Sequence, residues 1–181
     1  MRVISGKARG VSLKTPAGMA TRPTADRVKE ALFSIIQFDI PGTNVLDLFG
    51  GTGQLGIEAL SRGAKYATFV DERQDACNLI KENLKRTNLL PLAKVLRADY
   101  ASYLRTCSEK FDIILLDPPY AEVFLENSLK MITEIDILQS GGIIVTERPL
   151  EKELLFESPG YIRSKDYKYG NTLLSFYRKE R

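Results

Sequence analysis

The chain has 181 residues, of which 44% are hydrophobic and 27% charged, with a formal net charge of +3. This length and composition are typical of one globular domain and exclude a disordered or fibrous chain. Histidine is absent, which excludes catalytic triads or dyads built on an imidazole and zinc sites built on histidine. Cys77 and Cys107 are too few for a four-cysteine zinc site or a disulfide framework, so we expect no metal.

The sequence also predicts where the protein resides. Its longest apolar runs, such as Phe111 to Leu116, are far shorter than the ~20 residues of a membrane span. Residues 1–7 lack the apolar stretch of a signal peptide, and two separate cysteines are typical of reduced thiols in the cytosol. We therefore expect a cytoplasmic protein without a membrane partner. No long apolar seam remains beyond the needs of one domain, which favours a monomer.

Charge is distributed unevenly along the chain. Residues 1–30 carry a net charge of +5, residues 31–160 carry −6, and residues 161–181 carry +4. Clustered positive charge is what a polyanion such as nucleic acid attracts. A solvated basic tail without a partner would show the same charge pattern, so charge alone does not decide between the two.

Short β-rich runs alternate with helical patterns from residue 44 onward. We expect strands at 44–49, 67–71, 94–98, 112–117 and 143–147, and helices at 55–62, 73–86 and 123–138. This alternation predicts a doubly wound α/β fold in which ligands bind at the carboxyl ends of parallel strands.

The two ends of the chain depart from this alternation. Residues 2–16 predict short strands or an arm, and 24–37 an amphipathic helix. The runs 161–169 and 172–178 flank Gly170-Asn171, which predicts a closing antiparallel hairpin. We therefore divide the chain into a basic N-terminal arm and helix, residues 1–40, and a main domain, residues 41–181.

A glycine-rich turn follows the first predicted strand. Gly51, Gly53 and Gly56 form a GxGxxG pattern, and Asp71 ends the next strand 20 residues later, as in dinucleotide sites. Asp47, inside the first strand, is unfavourable beside a pyrophosphate because like charges repel. It favours a positively charged ligand instead. S-adenosylmethionine has a sulfonium, an ammonium group and a ribose diol, and no phosphate.

The pattern D-x-F-x-G-x-G starting at Asp47 resembles motif I of the class I, Rossmann-like methyltransferases. The resemblance implies a mostly parallel seven-stranded sheet that binds S-adenosylmethionine, with Asp71 at the ribose and Asp99 near the adenine amine. The residues that we expect to bind this cofactor are Asp47, Phe49, Gly50, Gly51, Thr52, Gly53, Asp71, Asp99, Tyr100 and Asp117.

A second motif, Asp117-Pro118-Pro119-Tyr120, follows the fourth predicted strand. The prolines remove amide donors and keep the preceding residue extended, so the Asp117 carboxylate and the Pro118 carbonyl can form a rigid pair of acceptors. Such a pair fits the two N–H bonds of an exocyclic amine, and Tyr120 supplies a ring on which a base can stack. We predict these four residues as the catalytic site.

The two motifs together resemble the amino-methyltransferases that transfer a methyl group from S-adenosylmethionine to nitrogen. The implied reaction is an in-line displacement in which the oriented amine attacks the methyl carbon. Positioning supplies most of the rate, so the reaction needs no histidine. The sequence leaves open whether Asp117 also takes the proton.

Further stretches, 2–10, 21–33, 47–64 and the closing hairpin, closely resemble the bacterial 16S rRNA guanine-N2 methyltransferase family that modifies guanine 966. Gly50 stands where that family commonly has Ala. The resemblance implies methylation of the N2 amine of this guanine, in 16S rRNA or in a small ribosomal subunit particle. It also implies that the basic extension contacts RNA through Arg2, Lys7, Arg9, Arg22, Arg27 and Lys29.

Other functions stay open from the residues alone. An N6-adenine or other nucleic-acid amino-methyltransferase would share the turn at residues 117–120. A protein glutamine methyltransferase would typically have Asn at position 117. A nicotinamide dehydrogenase would match the glycines but would leave Asp47 unexplained, and a non-catalytic RNA-binding assembly factor would match the charge pattern only.

Overall fold

A computed structural model gives the fold and describes residues 1–16, 23–119, 121–154 and 156–181. The helices are α1 (Pro23–Ile35), α2 (Gln54–Ser61), α3 (Gln74–Arg86), α4 (Tyr100–Thr106) and α5 (Ala121–Ile135). The strands are β1 (Asn44–Asp47), β2 (Tyr66–Asp71), β3 (Ala93–Arg97), β4 (Phe111–Leu116), β5 (Leu138–Pro149), β6 (Tyr161–Arg163), β7 (Tyr167–Tyr169) and β8 (Thr172–Lys179). In these ranges no helix is both long and apolar enough to cross a membrane.

The strands form one sheet in the order β3-β2-β1-β4-β5-β8-β6, with β7 also paired to β8. Strands β1 to β5 are parallel, and β8 runs antiparallel to β5. Both β6 and β7 pair with β8, so together they are one interrupted strand. The mostly parallel sheet with a closing antiparallel hairpin is as predicted, with eight strand segments in seven positions.

Helices cover both faces of the sheet, and the sheet separates the core into two clusters. On β4, Ile113 and Leu115 pack in one cluster with α1, α2 and α3, whereas Ile114 and Leu116 pack in the other with α4 and α5. A strand that is buried on both faces does not need alternating apolar and polar residues, because neither face is exposed to water. This explains why β4 is a continuous apolar run in the sequence.

The end of α5 and the start of β5 differ most from those predicted. Helix α5 ends at Ile135 because Asp136 has a left-handed backbone, with φ of 56°, and β5 begins at Leu138 instead of residue 143. The apolar pair Ile137 and Leu138 fits the end of a helix and the start of a strand equally well in the sequence. Helix α4 was not predicted, although Asp99 is an N-cap signal for it.

The N-terminal segment is attached to α2 by a buried glutamate. Glu58 is fully buried, and its carboxylate accepts hydrogen bonds from the amides of Ile4 at 2.8 Å and Ser5 at 3.0 Å. The Arg62 Nε donates to the same carboxylate at 2.8 Å, and the Lys29 ammonium lies 3.7 Å away. One side chain thus satisfies two amides and balances two cations.

Close packing of this segment extends over its first 13 residues. Val3, Ala8 and Leu13 are buried in the same cluster as α1 and α2. A Cβ at Gly6, whose φ is +83°, would lie 1.8 Å from the Ser61 carbonyl oxygen, so only glycine fits there. The arm is therefore packed onto the domain.

Lys29 corrects one sequence prediction. Its side chain is buried, its ammonium donates to the Arg2 carbonyl at 2.6 Å, and it lies beside Glu58. Desolvation by burial lowers its pKa, and the Glu58 charge opposes that effect. The expectation that Lys29 contacts RNA is wrong, because its charge is committed to the interior.

Glu58 should contribute strongly to stability. We expect Glu58→Ala to lower the free energy of unfolding by about 3 kcal/mol, because it leaves the Lys29 charge buried without its counterion and two amides without acceptors. Urea unfolding measures this change. The control is Glu82→Ala, which removes an exposed ion pair with Lys14 and should cost less than about 1 kcal/mol. Equal losses in the two variants would contradict the role given to Glu58.

Candidate active site

A cavity of about 580 Å³ opens at the carboxyl ends of β1, β2 and β4, a volume typical of small-molecule sites. It lies where both sequence motifs predict a site. The predicted residues that line it are Asp47, Phe49, Gly50, Gly51, Thr52, Asp71, Tyr100, Asp117, Pro118 and Pro119. Tyr120 and Arg22 lie outside the described residues.

Two of the motif glycines pack against protein atoms. The Gly56 amide donates to the Asp47 Oδ2 at 3.0 Å, and a Cβ at Gly56 would lie 2.3 Å from the Phe69 ring. Gly53 is the N-cap of α2, with φ of +79°, and its Cβ would lie 3.2 Å from Ile80 on α3. Gly56 therefore allows α2 to approach the sheet closely, and Gly53 allows it to approach α3; Gly53 does not line the cavity.

Asp47 is a buried acid at the base of the cavity. Burial raises its pKa to about 7, the Gly56 hydrogen bond opposes that rise, and the charges of Asp117 and Asp71 add to it. A cation bound nearby would favour the ionised form. The site is therefore electrostatically suited to a positively charged ligand.

Asp71 connects the glycine-rich turn at residues 50–53, called the glycine loop below, to the end of β2. Its Oδ2 accepts the Gly51 amide at 2.9 Å, and its Oδ1 accepts the Arg73 amide at 2.9 Å. Each carboxylate oxygen can accept a second hydrogen bond. Asp71 can therefore hold the loop and still bind a diol from the cavity side.

Asn83 is a positioning residue that the sequence analysis missed. It is fully buried on α3, and its Nδ2 donates to the Thr52 carbonyl at 2.9 Å and to the Lys14 carbonyl at 3.0 Å. Its Oδ1 accepts the Lys14 amide at 2.7 Å. One amide side chain thus fixes the glycine loop to the N-terminal segment. Its place in an otherwise apolar helix face was the available signal.

Asp99 is exposed and caps helix α4. Its Oδ1 accepts the amides of Ala101 at 3.0 Å and Ser102 at 3.2 Å. Hydrogen bonds from Ser102 and Ala101 hold the pKa of its carboxyl group below the usual range. Asp99 does not line the cavity, although its neighbour Tyr100 does, so its contact with adenine stays a prediction.

Three aromatic rings form one wall of the cavity. The ring centroids of Phe49 and Tyr100 are 5.4 Å apart, and those of Tyr100 and Phe124 are 5.6 Å apart. Phe124 was not predicted, because its spacing on α5 is that of a core residue, yet its side chain is 37% exposed. This wall offers apolar ring surface to a flat heterocycle.

The turn after β4 forms the other wall. Pro118 is buried, Pro119 is exposed and Asp117 is partly exposed. Burial raises the pKa of Asp117 to about 6. No described residue donates a hydrogen bond to its carboxylate or forms an ion pair with it, so both oxygens are available to a ligand.

The basic residues at the two ends of the chain differ in their surroundings. Arg2, Lys7, Arg9 and Arg27 are exposed and form no ion pair with another described residue. At the other end, several charges are neutralised through the pairs Arg163–Asp166, Arg178–Asp39 and Lys179–Asp136. The N-terminal residues thus carry cations without an ion-pair partner among the described residues, and Met1 at their start lines the cavity.

Comparison with known proteins identifies the family. Residues 1–178 match the model of the family described as "Conserved hypothetical protein 95". The chain belongs to this family. Over 182 residues it is 42% identical to "Putative rRNA methyltransferase YlbH" of Bacillus subtilis (strain 168), with 99% of each chain covered.

Two further relatives agree with this assignment. "Ribosomal RNA small subunit methyltransferase D" of Escherichia coli (strain K12) is 31% identical over 183 residues, which cover 99% of this chain and 90% of the relative. The solved structure "Putative methyltransferase yhhF from Escherichia coli" superposes with a TM-score of 0.89 at 27% identity, covering 100% and 98% of the two chains. The predicted methyltransferase family and Rossmann-like fold are confirmed.

Burial of Asp47 should make stability depend on pH. The folded protein retains the Asp47 proton up to about pH 7, whereas the unfolded chain releases it near pH 4. The free energy of unfolding should therefore fall as pH rises across this range. Asp47→Asn removes this pH dependence. The free energy of unfolding of the variant, relative to that of the wild type, should therefore rise by roughly 2 kcal/mol between about pH 5 and pH 8.

Urea unfolding of the ligand-free protein at several pH values measures this difference. Asp75→Asn is the matched control, because the Asp75 side chain is 76% exposed and should show little pH dependence relative to the wild type. A gain for Asp47→Asn that does not change with pH would contradict the role given to burial.

Proposed function

We propose that the protein transfers a methyl group from S-adenosylmethionine to the exocyclic N2 amine of guanine 966 in 16S rRNA. The observation that carries this proposal is the shared cavity, which is lined both by the glycine loop with its buried acid Asp47 and by the Asp117 turn. Cofactor and target amine would thus meet in one space. Membership of the family and the names of the rRNA methyltransferase relatives support the choice of substrate.

The residues of the cavity fit this cofactor. Asp47 favours a positive charge, Asp71 has free lone pairs for a ribose diol, and the rings of Phe49, Tyr100 and Phe124 can contact the adenine. When bound, S-adenosylmethionine supplies an electrophilic methyl group on a positively charged sulfur. The glycine loop and the aromatic wall would enclose it and exclude water.

The turn after β4 would orient the target amine. The Asp117 carboxylate and the Pro118 carbonyl accept its two N–H bonds, which directs the nitrogen lone pair away from them and towards the methyl group. The nitrogen becomes positively charged as it reacts, and the negative charge of Asp117 stabilises that charge. We propose that Tyr120 adds stacking on the guanine ring.

The exposed cations of the N-terminal segment would bind the RNA backbone. Arg2, Lys7, Arg9 and Arg27 are exposed, and Arg2 follows Met1, which lines the cavity; we propose that Arg22 joins them. Phosphate contacts position an RNA without reading its sequence. The substrate would be 16S rRNA or a small ribosomal subunit particle, so we place the protein in the cytoplasm and propose that it acts as a monomer.

Methyl transfer to rRNA tests the proposed function directly. With tritiated S-adenosylmethionine and small-subunit particles from cells lacking the protein, we expect label in N2-methylguanosine at position 966. Asp117→Ala should lower the transfer rate by about 100-fold or more, because it removes the group that stabilises the developing charge. Asp75→Ala, at an exposed position on α3, is the control and should leave the rate unchanged.

Nucleoside analysis distinguishes the alternatives. Label in methyladenosine would identify an adenine methyltransferase, and label only in protein would identify a protein methyltransferase. Either result, or the absence of any label in particles and naked 16S rRNA, would refute the guanine-N2 assignment.

The N-terminal segment should control RNA affinity and leave cofactor affinity unaffected. In the variant Arg2→Glu/Lys7→Glu/Arg9→Glu we expect weaker binding to 16S rRNA at physiological salt, and a salt slope reduced by about one for each lost phosphate contact. Binding of S-adenosylmethionine, measured by calorimetry, should change less than about twofold, because these side chains do not line the cavity.

Lys130→Glu is the control for this variant. Lys130 is exposed on α5, which covers the opposite face of the sheet. We expect it to retain the salt slope of the wild type. An unchanged slope in the triple variant, or an equal loss in the control, would remove the N-terminal segment from RNA binding.

A further inference from the structure

Glu147 is an acid that the reaction described above does not use, although it lies beside Asp117. Strands β4 and β5 are parallel neighbours, and their last matched pair is Leu116 with Thr146. The next residues along the two strands are Asp117 and Glu147. Neighbouring strands lie about 5 Å apart, so the two carboxyl groups leave the same edge of the sheet side by side.

The two side chains also point to the same face. Leu115 and Val145, two residues before them, both pack in the cluster that contains α1 and α2. Side chains alternate along a strand, so residues two apart share a face. Asp117 and Glu147 therefore continue this row, on the face where the N-terminal segment and α1 are packed.

Glu147 has no partner that neutralises it among the described residues. It is partly buried, and no described residue donates a hydrogen bond or an ion pair to its carboxylate. Its neighbour on β8 is the buried Leu174. The next residue on β5, Arg148, points to the opposite face and is bound to Asp166 at 2.7 Å.

Asp47, at the end of β1, lies on the same face, because Val45, two residues before it, packs in the same cluster. Burial, and to a lesser extent the negative charge of Asp117, raise its pKa. Glu58 of α2 also lies on this face, where it accepts the amides of Ile4 and Ser5.

Further charged and titratable groups on this face belong to β7 and α1. Tyr167 of β7 is paired with Leu174, which places it two strands away from Glu147. Among the charged residues of α1, Lys29 is bound to the Arg2 carbonyl and lies beside Glu58. The others in this helix are Asp26, Arg27 and Glu30, of which Arg27 and Glu30 are exposed.

Two adjacent, partly buried carboxyl groups do not both ionise readily at neutral pH. Burial, and secondarily the negative charge of Asp117, raise the pKa of Glu147 to about 8. Burial raises the pKa of Asp117 to about 6. Between these values the pair holds one proton and its two members titrate together, while Asp47 interacts with Asp117 from β1.

We propose that Glu147 is a positioning residue of the methyl-transfer site, whose protonated carboxyl group donates a hydrogen bond to the Asp117 carboxylate and holds it towards the target amine. This inference rests on the proposed function. In the reaction a nitrogen–carbon bond forms as the carbon–sulfur bond breaks, and the electron pair of the broken bond stays on sulfur. The proton of the methylated amine passes to Asp117 and then to water, while Glu147 keeps its own proton.

The pH dependence of methyl transfer tests this role. We expect the single-turnover rate of the wild type to fall above about pH 8, where Glu147 loses its proton and repels Asp117. Glu147→Gln is a permanent neutral donor, so it should keep the neutral rate within about threefold and lose the alkaline fall. Glu147→Leu cannot donate and should lower the rate about tenfold or more, with the affinity for S-adenosylmethionine changed less than about twofold.

The control is Glu151→Gln, at an exposed position in the turn after β5, which should retain the wild-type profile. Thermal melting of each variant shows whether it is folded, and at neutral pH Glu147→Gln should be about as stable as the wild type because it keeps an uncharged donor beside Asp117. A wild-type rate in Glu147→Leu, or an unchanged alkaline fall in Glu147→Gln, would overturn the proposal.

A second measurement does not depend on activity. In ligand-free protein with ¹³C-labelled glutamate, the Glu147 carboxyl signal should titrate with a midpoint near pH 8, and this midpoint should fall in Asp117→Asn. A midpoint in the ordinary range of glutamate overturns the proposal whatever the substrate is. If Glu147 titrates near pH 8 but the protein transfers no methyl group to any RNA, the proposed function is wrong. The role of Glu147 in methyl transfer is then wrong as well.

Discussion

The hydrogen bond from the Gly56 amide to the Asp47 carboxylate joins the end of β1 to α2, and the geometry of the site depends on it. It requires α2 to lie close to the sheet, which is possible only because residue 56 is glycine: a Cβ there would overlap the Phe69 ring. The glycine loop between them is then fixed by Asp71 on one side and by Asn83 on the other. The loop can therefore present its backbone to a ligand without rearrangement.

The same interaction leaves a carboxylate where water cannot solvate it. One amide does not compensate for burial, and the charges of Asp117 and Asp71 make ionisation of Asp47 harder still. The ligand-free site thus stores an unfavourable electrostatic energy. A cationic ligand would release this energy when it binds, so the acids that destabilise the free protein would contribute to affinity. Under the proposed function, selectivity for a sulfonium over a pyrophosphate follows from the fold itself.

Local patterns in the sequence predicted most of the fold, the glycine-rich turn and the turn at Asp117, but not Phe124 of the aromatic wall. The strand before Gly51 and the turn at Asp117 each lie within a few residues, so composition and spacing reveal them. Contacts between residues far apart in the sequence could not be predicted. Lys29 resembles the other cations of its segment in the sequence, and only the structure places Glu58 beside it. Glu147 follows Asp117 by 30 residues, and only the parallel register of β4 and β5 brings the two together. The end of α5 was misplaced because the apolar pair at 137–138 suits a helix and a strand alike.

Charge counted along the chain also differs from charge available at the surface. The C-terminal residues carry a net +4 in sequence, yet Arg178 and Lys179 are paired with Asp39 and Asp136. The N-terminal segment keeps its free cations because Glu58 binds its backbone, leaving the side chains of Arg2, Lys7 and Arg9 exposed. Under the proposed function, these exposed cations would contact the RNA backbone, and Met1 of the same segment lines the cavity. The buried glutamate that stabilises the domain would then also position the segment whose cations bind the RNA.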